Sequence, residues 1–242
     1  MRSYFSVVAA SLATLTCLTA MAADDISGVT LGSSLADAKE AIAKANPNLK
    51  LSPLMLRSGN EGGVTAVSVD LIPEAGVGSV KRPSDEFAVL QTDSGKVWFI
   101  ARVQRLEQGA RIKTDTLEAS LAEKFGKPSS PGLGYGFVWQ FDREGKQYFG
   151  PGTAGPCDSM MRGGSNLPGV TVGAPESFSP TCGKLIVVST TEQPDGMVPY
   201  YTVSLIDAKT MFDELAARDA QAETERVKKL SDEQAKGVKP KL

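Results

Sequence analysis

The stretch EFAVLQTDSGKVWFIARVQRL, residues 86–106, constrains the fold more than any other part of the chain. Two runs rich in β-branched and aromatic residues flank the turn-forming triplet Asp93-Ser94-Gly95, so the chain reverses here into an antiparallel hairpin. In the second run Val97, Phe99, Ala101 and Val103 fall on one side at the two-residue period of a strand, which makes them the expected core face. Trp98 and Ile100 share the other side with Arg102 and Gln104. On that reading Trp98 and Arg102 stand on an outer surface with Arg105 close to its end, an arrangement suited to a protein or anionic-ligand contact.

A hairpin needs further strands and a cover to bury one face. Residues 64–72 alternate, with Val67, Val69 and Leu71 on the apolar side, and 136–142, 146–149, 184–190 and 200–206 also read as strands. Two amphipathic helices precede these groups. In ISGVTLGSSLADAKEAIAKANPNLKL, from residue 26, Ser33 or Ser34 caps a helix with Leu35, Ala38, Ile42 and Ala45 on one face, ended by Pro47. The second is capped by Thr114 or Asp115, carries Leu117, Leu121 and Phe125, and stops at Gly126 ahead of Pro128.

The expected fold is therefore α+β, with two tandem helix-plus-antiparallel-sheet units, 23–112 and 113–207, and their helices packed on one face of the sheet. A charged helix and tail, 208–242, follow; Met211, Phe212 and Leu215 dock its start, and alternating charges solvate the rest.

Residues 1–22, MRSYFSVVAASLATLTCLTAMA, carry Arg2, then an apolar and small-residue stretch, then Ala20-Met21-Ala22, the layout of a secretory signal peptide cleaved after Ala22. The expected location is periplasmic or secreted, with no stable membrane insertion after cleavage. Loss of Arg2 takes the formal charge from −2 to −3, which disfavours nucleic-acid binding. Two cysteines remain, Cys157 and Cys182, and an exported chain with an even count is expected to pair them. That bridge ties down a long segment, 150–182, rich in glycine and proline. With Met160, Met161, Arg162, Leu167, Val170 and Phe178, the segment reads as an adaptable contact surface, because methionine repacks easily.

VTLGSSLADAKEAI at 29–42 and TLEASLAEKFGKPSSPGLGYGFVWQFDREGK at 116–146 carry a family resemblance. Together they resemble the repeat of small exported bacterial proteins, in which a polar opening leads into a helix, then Gly-x-Pro, then a tryptophan strand. Such units are similar to those of the β-lactamase inhibitor protein and of small outer-membrane assembly lipoproteins; the chain also resembles uncharacterised exported proteins of Gram-negative bacteria. The resemblance implies helices on an antiparallel sheet and a role in binding other proteins. The first copy departs from the pattern in lacking a tryptophan strand directly after its helix.

The chain has no histidine, which removes the commonest general base, the Ser-His and Cys-His nucleophile pairs and the commonest metal ligand. Carboxylate chemistry survives that test, and Asp142 with Glu144 or Asp70 with Glu74 are the pairs to consider. Each is equally explained as a strand-end or turn acid. The run GLGYG at 132–136 lacks the Lys-Ser/Thr of a phosphate loop, and Ser34 to Lys39 has the wrong spacing for a Ser-x-x-Lys dyad. The expectation is a non-enzymatic protein without cofactor or metal, binding another envelope or secreted protein. A carboxylate-dependent hydrolase of cell-wall glycan or another polymer, and a small-ligand binder, are the alternatives.

Overall fold

The computed structural model describes residues 23–56, 59–74, 80–131, 136–151, 154–161 and 164–237, so the expected signal peptide at 1–22, most of GLGYG and Arg162 lie outside the described residues. Among those described, eight strands form one antiparallel sheet: β1 (Leu49–Met55), β2 (Glu61–Ser68), β3 (Asp85–Gln91), β4 (Val97–Arg105), β5 (Ser130–Pro131), β6 (Gly136–Asp142), β7 (Cys182–Thr190) and β8 (Tyr200–Asp207). Their spatial order is β5-β6-β7-β8-β4-β3-β2-β1. Strands of each half lie side by side, and the halves meet where β4 pairs with β8, from Phe99↔Ile206 to Arg105↔Tyr200. The architecture is mixed α and β but mostly sheet, and the sheet continues across the 112/113 boundary expected from the sequence.

Helices α1 (Leu35–Ala45) and α2 (Thr114–Phe125) cover one face. Ser34 caps α1: its hydroxyl accepts from the Asp37 N–H at 3.1 Å, and the Asp37 carboxylate receives the Ser34 N–H, a capping box. Leu35, Ala38 and Ile42 are buried against β2 and β3 residues such as Val64 and Phe87. Helix α2 begins at Thr114 with Lys113 at its N-cap and no side-chain cap, which corrects the expected capping role of Thr114 or Asp115. It ends at Gly126, whose φ of +78° favours glycine. The Gly126 carbonyl then accepts the indole N–H of Trp139 on β6 at 2.9 Å, and the Phe125 and Trp139 rings lie 5.6 Å apart. Helix stop and tryptophan strand are thus locked to each other by a hydrogen bond and a ring contact.

Three strand expectations change. The run 64–72 breaks after Ser68, whose hydroxyl bonds the Asp70 carbonyl and Ser84 and receives the Asp85 N–H. The chain bends there, so Val64 and Ala66 enter the core while Val69 and Leu71 are exposed. Residues 146–149 contribute only an isolated bridge, Gln147 to Phe141. Strand β1, LKLSPLM, is an edge strand absent from the sequence reading, and edges tolerate its Pro53.

Helix α3 (Ala208–Ala235) is rooted on the opposite face by Ala208 and Met211. Arg143 bonds Asp213 at 2.6 Å and lies over the Phe212 ring, and the Glu214 carboxylate accepts the Ser94 N–H and hydroxyl. From Ala216 to Ala235 every residue is exposed. Among the described residues no helix is long and apolar enough to cross a membrane.

Candidate functional site

The face opposite α1 and α2 is covered by the segment between Cys157 and Cys182. The expected disulfide is present, with a Cα–Cα distance of 4.8 Å, in keeping with export. After a short 3-10 turn at Asp158–Met161, residues 164–178 run across the sheet as a strap, with a small hairpin pairing Ser165–Asn166 to Gly173–Ala174. Val172 and Ala174 are buried on the sheet, and Leu167, Val170 and Phe178 pack partly buried beside them.

The far part of the strap is held by charge. Glu86 on β3 and Arg105 on β4 form a 2.6 Å ion pair with side chains 1% and 7% exposed. The second Glu86 oxygen accepts the Thr171 N–H at 2.7 Å and its hydroxyl at 2.9 Å, and Arg105 donates to the same hydroxyl at 2.7 Å. Arg105 also donates to the Pro83 carbonyl. Within 164–178, Thr171 alone makes hydrogen bonds to the sheet among the described residues. A buried ion pair is seldom the most stabilising way to fill a core, and here its spare hydrogen-bonding capacity is used to hold a loop.

Beside the strap lies a trough of about 510 Å³ lined by strap residues 171–175 and by Met160 and Met161, the first buried and the second half-buried. Its floor is formed by Leu185, Val187 and Ser189 of β7 with Thr202, Ser204 and Ile206 of β8. None of its lining residues is ionisable, and it is partly open to solvent. It offers apolar contact and a few hydroxyls, without an acid, base or nucleophile pair.

The proposed outer surface of Trp98, Arg102 and Arg105 is not formed. Leu90 pairs with Phe99 and Gln91 with Val97, so Trp98 is the extra residue of a β-bulge. The bulge turns Trp98 inward on the strap face, 5% exposed and edge-on to Phe178 at 5.2 Å. Arg102 points to the other face, over the Phe87 ring and in a two-bond pair with Asp85 at 2.9 and 2.7 Å. That pair also receives the Asn46 amide, tying the end of α1 to β3. Beside it burial pushes the Tyr201 phenol up, with a smaller downward effect from Arg102 and a smaller upward one from Asp85. Of the sequence candidates, Trp98, Arg105, Met160, Met161 and Phe178 are gathered on the strap side, and Arg102 is separated from them by the sheet.

Glu86 and Thr171 were not singled out by sequence. A glutamate opening a strand reads as an exposed charge, and only its pairing with Arg105, nineteen residues away, marks it as buried. Of the four carboxylates considered for catalysis, two are engaged structurally: Asp142 accepts the Glu144 and Lys146 N–H groups in the β6 turn, and Glu74 bonds Arg82 at 3.1 Å. Among the described residues no group of three or more Cys, Asp or Glu is placed to hold a metal ion. In comparisons with family models, curated proteins and solved structures, nothing matches the chain.

Proposed function

We propose that the chain is an exported, non-enzymatic binding protein of the cell envelope that contacts another protein through its strap and trough. The observation that carries this reading is the trough itself: uncharged, lined in part by adaptable methionines, and partly open to solvent. Small-molecule sites bury about 70–90% of their ligand. An open trough fits the apolar side chains of a larger partner better than an isolated molecule. The structural engagement of Asp142 and Glu74 supports a non-enzymatic role.

The tandem-unit reading draws support from the order of elements, a helix ahead of four strands of the main sheet in each half of the chain. It is the part of the resemblance to small envelope binding proteins that this order favours.

The test uses the mature chain, with its disulfide intact, as bait in envelope extract of its own host. A saturable protein partner is expected, lost when Val187 in the trough floor becomes Arg and kept when Lys44 on the helix face becomes Ala. Equal binding by both variants would remove the trough from the reading, and the absence of any partner would remove the reading.

A further inference from the structure

The geometry points to residues 164–178 acting as a hinged strap that lifts at Thr171 while its disulfide end stays fixed, uncovering the sheet face to a partner. This rests on the strap and trough being the contact surface. Three observations support it.

The first is the distribution of anchors. The Cys157–Cys182 bond holds one end covalently, whereas the far part is held by the packing of Val172 and Ala174 and, among the described residues, by hydrogen bonds of Thr171 alone. A segment with one covalent hinge and one polar latch can open locally without unfolding the sheet.

The second is the chemistry beneath the latch. Glu86 and Arg105 lose water when the strap is closed, and the cost of burying two charges is only partly offset by their attraction. Lifting the strap returns water to both groups, which compensates for exposing Val172 and Ala174. A purely apolar strap would have no such compensation.

The third is what lies underneath. The strap belongs to the same apolar cluster as Phe99, Ala101, Val103 and Leu185 in the middle of the sheet. Opening would extend the trough floor toward β4 with a flat apolar surface, the kind that a monomeric protein rarely leaves bare.

Hydrogen exchange read by mass spectrometry on the oxidised mature chain tests this without any partner. In the native protein, amides of 164–178 should exchange at least tenfold faster than those of β4 and β8. In Thr171→Val, which removes the hydroxyl but keeps the shape, strap exchange should rise at least another tenfold, equivalent to about 1.4 kcal/mol. Peptides from β4 and β8 should not change. Exchange of strap and sheet at one common rate in the native chain overturns the proposal even if the variant does not fold. So does an unchanged strap rate in a folded Thr171→Val protein. Loss of partner capture with strap opening intact would count against the binding reading alone.

Discussion

Replacing Glu86 by Ala separates a buried ion pair that fastens a loop from one that simply adds Coulomb energy. The substitution leaves Arg105, whose side chain is 7% exposed, without its carboxylate and removes the one oxygen that accepts both the Thr171 N–H and its hydroxyl. An uncompensated buried charge costs about 3–5 kcal/mol. For a chain of this size each kcal/mol moves the midpoint by about 2–4 °C, giving a fall of about 6–20 °C. The double variant Glu86→Leu with Arg105→Met removes both charges and fills their space with apolar groups. It should cost less than the single change, about 1–3 kcal/mol, the residue of the lost Thr171 bonds. Urea unfolding of the oxidised mature chain, followed by tryptophan fluorescence, measures both. A double variant at least as destabilised as Glu86→Ala would refute the reasoning, because the pair would then be a net source of stability in its own right.

Three further outcomes follow from the same coordinates. Trp139→Phe loses the 2.9 Å bond to the Gly126 carbonyl and part of a fully buried ring, and should lower unfolding free energy by about 2–3 kcal/mol in a denaturant titration. Replacing Cys157 and Cys182 together by Ser should cost about 3.5 kcal/mol on the chain-entropy account, with the strap losing exchange protection before the sheet does. Arg143 and then Lys209 hold the Asp213 carboxyl below its ordinary range; at Glu214 burial acts upward, but hydrogen bonds from Ser94, Thr92 and Asp93 together outweigh it. Depressed carboxyls contribute stability above their unfolded pKa of about 4 and lose it as pH falls through the lower folded values. Proteolytic nicking at the root of α3 should therefore rise below about pH 4 and stay flat from pH 5 to 8.

The parts of the fold legible in sequence are those fixed by neighbours along the chain. Ser34 and Asp37 sit three residues apart and close their own cap, Gly126 ends its own helix, and Asp93 to Gly95 reverse their own hairpin. The two remaining cysteines had one intrachain pairing open to them. What was missed depends on distant partners. The alternation in 97–103 marks a strand, but the facing changes at Trp98 because the register with β3 slips by one residue there, and the slip is a property of the pair. Strand β1 went unread because Pro53 is acceptable only on an edge, and edge position is set by the whole sheet order. The strap shows the same division: its composition marked it as a special loop, while its course across the sheet is set by Glu86 and Arg105, both outside it.

The central claim, that another protein is engaged by the strap and trough, is tested most directly by site-specific photocrosslinking in the native envelope. A photoreactive residue replaces Ser189, exposed in the trough floor, or Lys44 on α1 as a control. The account predicts one discrete protein adduct from position 189, absent from position 44, and suppressed by excess wild-type mature chain but not by its Val187→Arg variant. No adduct at 189, equal adducts at both positions, or suppression by Val187→Arg as effective as by wild type would contradict it.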